Sequence, residues 1–197
     1  KMFGIDAELL IDHAWGYETC RMSDIKNYHS EEHSLSNGQV LMRNYSFDEA
    51  LVIVREMTDN LVLDLFEKGL VTSSLTLWIA YDHRYEHEAS KGTVKLERES
   101  NSSKKIIDAV EDLYLRIADR YTGIRRIEVC ANRVAPESYV QYSLFDDPKQ
   151  TDKERHLQEA VLNVKQRYGK NAIMRGSNLL ECSTYRERNE QIGGHRA

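Results

Sequence analysis

A short run of residues suited to docking, reading Gln-Tyr-Ser-Leu-Phe, extends from Gln141 to Phe145 near the end of the patterned part of the chain. Gln141 offers an amide that can form hydrogen bonds in a cleft, and the adjacent Leu144 and Phe145 offer two apolar side chains that can fill a pocket. A Leu-Phe pair in front of two aspartates is also typical of the last hydrophobic contact of a domain. The chemistry that the run predicts is recognition of a protein partner, and its flanks must decide between these interpretations.

A second constellation is the pair His83 and His87, which stand four residues apart with Glu86 between them. On a helix this spacing could bind zinc, and with a converging carboxylate it would suit a small metal-dependent hydrolase. The pair follows a strand pattern and precedes Lys91-Gly92, which favours a hairpin loop, and no Glu directly follows the first His as the H-E-x-x-H pattern requires. We therefore expect no metal site here and keep the hydrolase as an alternative.

The composition is typical of a soluble globular chain, and the length of 197 residues fits one domain with extensions. No apolar run approaches the roughly 20 residues that would span a bilayer. Cys20, Cys130 and Cys182 are odd in number and far apart, which argues against both a disulfide framework and a zinc knuckle. We therefore expect a protein of the reducing cytoplasm, with no membrane partner.

The charge is mildly acidic, at −5, and unevenly distributed, with an acid-rich segment before residue 36 and a basic tail after Asp147. A chain of this charge cannot bind nucleic acid by bulk attraction, so binding would require local basic clusters or a partner that holds the chain in place.

The elements that must position these residues follow from hydrophobic periodicity. A Ser-x-x-Glu capping box from Ser46 to Glu49 starts one helix, and Asn101-Ser102-Ser103 caps a second. The strand segments alternate apolar and polar residues, as half-buried strands do. The predicted order is β-α-β-β-α-β, over residues 39–44, 46–69, 75–81, 93–99, 101–121 and 124–132.

This order predicts an α+β fold, in which a four-stranded sheet carries two helices on one face and leaves the other face bare. We also expect a short N-terminal helix that ends at Gly16, a polar linker over residues 18–37, and a C-terminal helix that begins at Thr151. The segment from Arg175 onward is rich in turn formers and is expected to be poorly ordered. Because the first helix begins so abruptly, we expect the chain to be a fragment of a longer polypeptide.

Three features together resemble the C-terminal part of a bacterial Y-family translesion DNA polymerase: the β-α-β-β-α-β order, the string Ile124-Arg125-Arg126-Ile127-Glu128-Val129, and the Q-x-x-L-F run. The stretches 7–20, 168–173 and 188–195 resemble the end of the thumb and the tail of the UV-damage-repair type from Gram-positive bacteria. The resemblance implies four regions: the end of the thumb with a linker (1–35), a little-finger domain (36–134), a clamp-binding segment (135–150), and a C-terminal helix with a flexible tail (151–197).

The resemblance implies that this region grips duplex template-primer DNA and that Gln141, Leu144 and Phe145 bind the bacterial sliding clamp. Basic and hydroxyl side chains on strands or at the start of the second helix are suited to hold phosphates without reading sequence. The predicted DNA-binding residues are Arg43, Lys95, Arg98, Ser103, Lys104 and Arg126. For the serines at that helix start, plain N-capping is an equally good interpretation.

The resemblance implies no catalytic residue and no cofactor in this chain, because the metal-bound carboxylates of the family and their Mg²⁺ belong to the palm, whose motifs no segment here matches. We expect no polymerisation by this chain alone. Acidic residues outnumber basic ones across the predicted little finger, so the acids should lie on the helices, away from DNA. The alternative function is a free-standing RNA-binding module, which needs several aromatics on its bare face, where the sequence supplies only Trp78.

Overall fold

The computed structural model describes residues 7–27, 34–138, 147–192 and 195–196, and the chain divides into two compact units, Lys1–Glu32 and His33–Ala197. Within these described ranges, no helix combines the length and the apolar character that a membrane span needs.

The first unit contains two short helices, α1 (Ala7–Ala14) and α2 (Met22–Asn27), neither of which has a buried residue. The predicted end of α1 is confirmed, because Gly16 has a positive φ of 75° that closes the helix. α2 lies inside the segment expected to be a linker. Its six residues are too few to show an apolar period, and the carboxylate of Asp24 accepts the backbone N–H of Arg21 at 2.9 Å to start it.

The second unit is built on an antiparallel sheet, and the predicted β-α-β-β-α-β order is confirmed. Its elements are β1 (Ser34–Tyr45), α3 (Phe47–Glu67), β2 (Leu70–Tyr81), β3 (Ser90–Ser100), α4 (Ser103–Ile117), β4 (Ile124–Asn132) and β5 (Ala135–Pro136). The four long strands lie in the order β1-β4-β2-β3, and the two-residue β5 pairs with β2 as a fifth strand. β1 and β3 both begin earlier than predicted, because their first residues are polar and give no strand signal.

Alternation along β2 decides which face of the sheet is buried. Leu75, Leu77 and Ile79 are fully buried, whereas Thr76 and Trp78 point to the opposite face. The apolar sides of α3 and α4 cover the first face and form one core with it, in which residues such as Met57 and Leu113 are 0% and 1% exposed. Burial of each such side chain stabilises the fold by about 1.5–3 kcal/mol.

Two glycines have specific roles in this packing. Gly69 follows α3 with a φ of 62°, the left-handed conformation that commonly ends a helix. Gly92 lies in β3 directly beneath α4, where an added Cβ would stand 2.8 Å from the Leu113 side chain. Because Gly92 lacks that atom, α4 can approach the sheet closely.

A fifth helix, α5 (Pro148–Tyr168), packs against the helical layer. The sequence predicts its start at Thr151, but the helix begins three residues earlier, with Asp147 as its N-cap and Pro148 in the first turn. Proline is favoured there because the missing N–H has no partner in a first turn. Arg155 of α5 forms an ion pair with Glu137 at 2.7 Å and thereby holds α5 next to β5.

The tail differs from the poorly ordered segment that the sequence predicts. It contains short 3₁₀ and α turns, Gly176–Leu179 and α6 (Tyr185–Asn189), and a two-stranded hairpin, β6 (Gln191–Ile192) with β7 (His195–Arg196). Tyr185 is 2% exposed, and the buried carboxylate of Glu56 on α3 accepts hydrogen bonds from the Ser183 hydroxyl and the Thr184 N–H. These polar contacts order the tail, and turn formers in the sequence do not reveal them.

Candidate nucleic-acid interface

The face of the sheet opposite α3 and α4 presents mainly polar and basic side chains, and we call it the open face. Strand register and alternation place these residues on it: Ser34, Ser36, Gly38 and Val40 from β1, Arg126, Glu128, Cys130 and Asn132 from β4, Ser74, Thr76, Trp78 and Ala80 from β2, and Lys91, Thr93 and Lys95 from β3. Val40 is 62% exposed, so solvent reaches the β1 edge of this surface.

A row of hydrogen bonds crosses the centre of the open face from β3 to β4. The hydroxyls of Thr93 and Thr76 lie 2.9 Å apart, and the Asn132 amide donates to the Thr76 hydroxyl at 2.8 Å. The Cys130 thiol donates to the Asn132 amide oxygen at 3.3 Å, and partial burial raises the pKa of that thiol. The row fixes small polar groups at the surface, where they can hydrogen-bond to phosphate oxygens.

Three cations stand around this row. Lys91 and Lys95 are exposed on β3, on one face of the strand and about 13 Å apart along it. Arg126 lies on β4 with its guanidinium 5.0 Å from the centre of the Trp78 ring and 3.4 Å from the Glu128 carboxylate. The open face therefore combines positive charge with hydroxyl and amide groups, the side chains that contact nucleic-acid backbones.

Two of the predicted DNA-binding residues, Lys95 and Arg126, lie on this common surface. Arg98 is exposed on β3, in a stretch where the pairing with β2 shifts register between Thr72 and Ser74. Lys91 was not among the predicted DNA-binding residues, because the strand predicted from the sequence begins only at residue 93 and leaves Lys91 in a loop. Alternation with Lys95 is the signal that would have found it, since both belong to one strand face.

Arg43 is exposed on β1 and is already paired with a carboxylate of its own chain. Its guanidinium pairs with the Glu49 carboxylate through two nitrogens, at 2.6 and 3.1 Å, and stacks 4.2 Å from the centre of the Tyr45 ring. Hydrogen bonds from Arg43 and from the Ser46 N–H lower the pKa of Glu49 to about 2. A phosphate would have to compete with this carboxylate for Arg43.

Ser103 and Lys104 lie at the start of α4, on the helical side of the sheet. The Glu154 carboxylate of α5 accepts the Ser102 hydroxyl at 2.9 Å and the Lys104 N–H at 3.0 Å. The Ser103 hydroxyl accepts a hydrogen bond from Arg175 at 3.1 Å. An internal carboxylate thus stands where the sequence predicts a phosphate, because both anions suit the positive end of a helix dipole.

The acidic residues that outnumber the basic ones lie mainly on the helices, as expected. The eight that the sequence assigns to helices are all on α3 or α4: Asp48, Glu49, Glu56, Asp59, Asp64, Asp108, Glu111 and Asp112. The sheet therefore separates a largely acidic helical side from an open face with three cations.

The two histidines of the metal alternative do not converge. His83 lies 3.5 Å from Asp82, whereas His87 lies 3.0 Å from Asp119 and packs against the Tyr81 ring. Among the residues that the structure describes, no group of three His, Cys, Asp or Glu side chains could hold a metal ion. The geometry therefore gives the hydrolase alternative no support.

Trp78 is the one aromatic residue that the described strands place on the open face. Arg126 already covers part of its ring, so the platform of several aromatics that an RNA-binding sheet uses is not formed by these strands. The predicted clamp-binding residues Gln141, Leu144 and Phe145 lie outside the described part of the chain.

Comparison with known families gives a match over more than half of the chain. The sequence model of the impB/mucB/samB family C-terminal domain matches residues 32–144. DNA polymerase IV 2 of Bacillus subtilis (strain 168) is 25% identical over 164 residues, which cover 82% of this chain and 39% of that protein. DNA polymerase IV 2 of Halalkalibacterium halodurans is 21% identical over 168 residues, which cover 85% of this chain and 40% of that protein. The chain thus spans about two fifths of the length of these relatives.

Solved structures show a distant likeness. The complex of beta-clamp processivity factor and little finger domain of PolIV matches with a TM-score of 0.41 and 12% identity, and the match covers 58% of this chain and 100% of that chain. The post-insertion binary complex of Dbh DNA polymerase matches with a TM-score of 0.38 and 15% identity, over 66% of this chain and 36% of that chain.

Proposed function

The chain belongs to the impB/mucB/samB family of Y-family DNA polymerases, whose C-terminal little-finger domain it contains, and from this premise we propose that its open face binds duplex template-primer DNA. The binding is to the phosphate backbone and is independent of sequence. The observation that carries the proposal is the concentration of Lys91, Lys95 and Arg126 around a row of hydroxyl and amide groups, with the helix-borne acids on the other side of the sheet.

Accessibility favours the open face, rather than the start of α4, as the DNA contact surface. Lys91 and Lys95 are exposed, whereas the Lys104 N–H is already bonded to Glu154. Of the predicted residues, we therefore assign Lys95 and Arg126 to the main contact, with Lys91 as an addition. Arg43, Arg98, Ser103 and Lys104 remain predictions for a wider footprint.

Salt-dependent binding of the whole chain to a fluorescent duplex tests this proposal. Neutralising Lys91 and Lys95 together as K91Q/K95Q should weaken binding and reduce the slope of log K against log salt by about two, one for each lost phosphate contact. The control is K68Q/K149Q, which removes two exposed lysines that follow α3 and begin α5. If both double variants show the same slope of log K against log salt, the open face is not the DNA-binding site.

We also propose that Gln141, Leu144 and Phe145 tether the chain to the bacterial sliding clamp. The Q-x-x-L-F spacing and the family membership support this assignment. Replacing Leu144 and Phe145 by Ala should abolish binding to purified clamp in a pull-down or by calorimetry, with a loss of about 2 kcal/mol or more per anchor. The spacer variant Y142A/S143A is the control and should retain binding, and unchanged binding of L144A/F145A would refute the tether.

The activity of the whole protein is part of the proposal, because the curated relatives are about twice as long as this chain. We propose that the chain serves error-prone synthesis past damaged template in the cytoplasm, with the Mg²⁺-binding carboxylates in a palm domain. Primer extension opposite a lesion by the full polymerase should weaken in K91Q/K95Q, while this chain alone should extend no primer. Extension by this chain alone would overturn the assignment of the chemistry to a palm.

A further inference from the structure

A groove of about 540 Å³ lies on the helical side of the second unit, between α3, α4, α5 and the segment that follows α5. Its apolar lining comes from all four elements: Leu63, Ile107, Leu157, Val161, Ile173 and Met174. Leu157 is 63% exposed and Ile173 is 37% exposed, so part of this lining faces solvent. The main DNA contact and the clamp motif do not use this surface, although Ser103 and Lys104 of the wider predicted DNA footprint line it.

The tail builds one wall of the groove and holds it in place. Arg175 pairs with Asp59 of α3 at 2.7 Å, and this pairing raises the pKa of Arg175. Lys165 of α5 donates hydrogen bonds to the Tyr185 hydroxyl and to the backbone oxygen of Lys170. The groove is therefore set by specific contacts among α3, α5 and the tail.

The charges around the groove leave it with a positive surplus. Four cations line the groove, Lys104, Lys153, Lys165 and Arg175, against three carboxylates. Asp59 is paired with Arg175, Glu154 accepts hydrogen bonds at the start of α4, and Asp108 lies one turn from Lys104 on α4. Within the described part of the chain, Lys104 of α4 and Lys153 of α5 have no ion-pair partner. These two ammonium groups lie on the two helices that flank the groove and would attract carboxylates of an occupant.

The dimensions favour a row of side chains over a whole buried ligand. The α5 residues that line the groove extend from Gln150 to Lys165, about 22 Å along the helix axis. A trough of this shape accepts apolar side chains from an element that lies on top of it.

We propose that the groove is a docking site for an amphipathic helix of a protein partner. The helix places apolar side chains spaced i, i+4 and i+7 in the trough and carries acidic residues that pair with Lys104 and Lys153. This inference is independent of the clamp assignment and of the main DNA contact, because it concerns the opposite side of the sheet. It shares only Lys104 with the wider predicted DNA footprint.

The test uses two synthetic helical peptides of about 18 residues that share leucines at i, i+4, i+7 and i+11 and differ only in flanking Glu or Lys residues. The Glu peptide should bind the whole chain at least about tenfold more tightly than the Lys peptide, as measured by fluorescence anisotropy. The charge-reversed variant K104E/K153E should prefer the Lys peptide, whereas the control K68E/K149E, with the same change of net charge, should keep the original preference.

Leu157→Asp on the groove floor should weaken binding of the Glu peptide about tenfold or more, while Tyr168→Asp, at an exposed α5 residue outside the groove, should not. Methyl chemical shifts of Ile107 and Val161 should move on titration of the Glu peptide. A cooperative thermal melt followed by circular dichroism confirms that each variant is folded. Equal affinity for both peptides, or an unaffected Leu157→Asp, would overturn the proposal.

Discussion

Glu49 shows how one residue can serve two elements of this fold. Its carboxylate accepts the Ser46 N–H at 2.9 Å, which completes the capping box of α3, and it also pairs with Arg43 of β1. The ionised form makes all of these contacts, so the pKa of Glu49 falls from 4.5 to about 2. The stability that this residue contributes is fully present above the unfolded-state pKa of 4.5 and is lost as the pH falls towards 2.

Glu49→Gln should therefore flatten the acid limb of the stability profile. We expect about 1 kcal/mol of destabilisation at pH 7 from the weakened cap, and a difference between wild type and variant that shrinks between pH 4.5 and 2. Urea unfolding at a series of pH values measures this. Glu97→Gln on exposed β3 is the matched control, and a constant difference across that pH range would contradict the assigned ion pair.

Glu56 has the opposite dependence on pH. It is 2% exposed, and burial raises its pKa even though Ser183 and Thr184 donate hydrogen bonds to it. The stability associated with a raised carboxyl pKa is present below 4.5 and declines as the pH rises through the folded-state value. The groups that face this carboxyl come from α3 and the tail and include Arg188, whose own pKa burial lowers.

At the scale of elements, the N-terminus of α4 shows how an internal group can occupy a site suited to an anion. Ser102 caps the helix by accepting the Lys105 N–H, and it also donates to Glu154 of α5. Gln158, one turn further along α5, donates to the backbone oxygen of Asn101 at 3.0 Å. α5 is thus fastened to the β3–α4 junction by polar contacts, and its Glu154 carboxylate takes the place that an external anion would otherwise occupy.

The contact between β3 and α4 can be tested with two glycines on different faces of the sheet. Gly92→Ala should destabilise the protein by about 1–3 kcal/mol, because the new Cβ would lie 2.8 Å from the Leu113 side chain. Gly38→Ala should be neutral or slightly stabilising, because its Cβ would make an ordinary 3.5 Å contact with Glu128. Thermal unfolding of both variants measures this, and similar melting temperatures would show that α4 is not so close to the sheet.

At the scale of the whole molecule, the net charge of −5 opposes the proposed DNA binding at long range, and the proposal depends on the sorting of charge between the two sides of the sheet. The molecule should therefore approach DNA in one orientation, with the helices turned away. The affinity should be modest and strongly salt-dependent, which makes a second attachment through the clamp motif useful to the proposed function.

Removal of the first unit should leave the second unit folded. A chain that starts at His33 should melt cooperatively and within about 2 °C of the full chain, because neither α1 nor α2 contains a buried residue. Circular dichroism on heating provides the comparison, with the full 197-residue chain as the control. A loss of cooperative melting would show that residues 1–32 contribute to the core.

Local patterns were sufficient for much of the fold. The Ser46–Glu49 capping box and the alternation of Leu75, Leu77 and Ile79 each act within a few residues, so the sequence displays them directly. Polar strand ends carry no such signal. Lys91 was consequently assigned to a loop, although it is paired with Trp78 in the sheet.

The sequence by itself determined the order of strands and helices and the face on which the core lies, because these depend on short-range periodicity. Its motifs, the string from Ile124 to Val129 and the Q-x-x-L-F run, carry the resemblance to the family. Only the tertiary structure decided which charged groups remain available. Contacts between residues distant in the chain pair Arg55 with Glu111 and bring the Glu154 carboxylate of α5 to the start of α4. A further contact of this kind docks the tail on Glu56. Such pairings depend on the distances that packing sets, and a linear pattern of charges does not contain them.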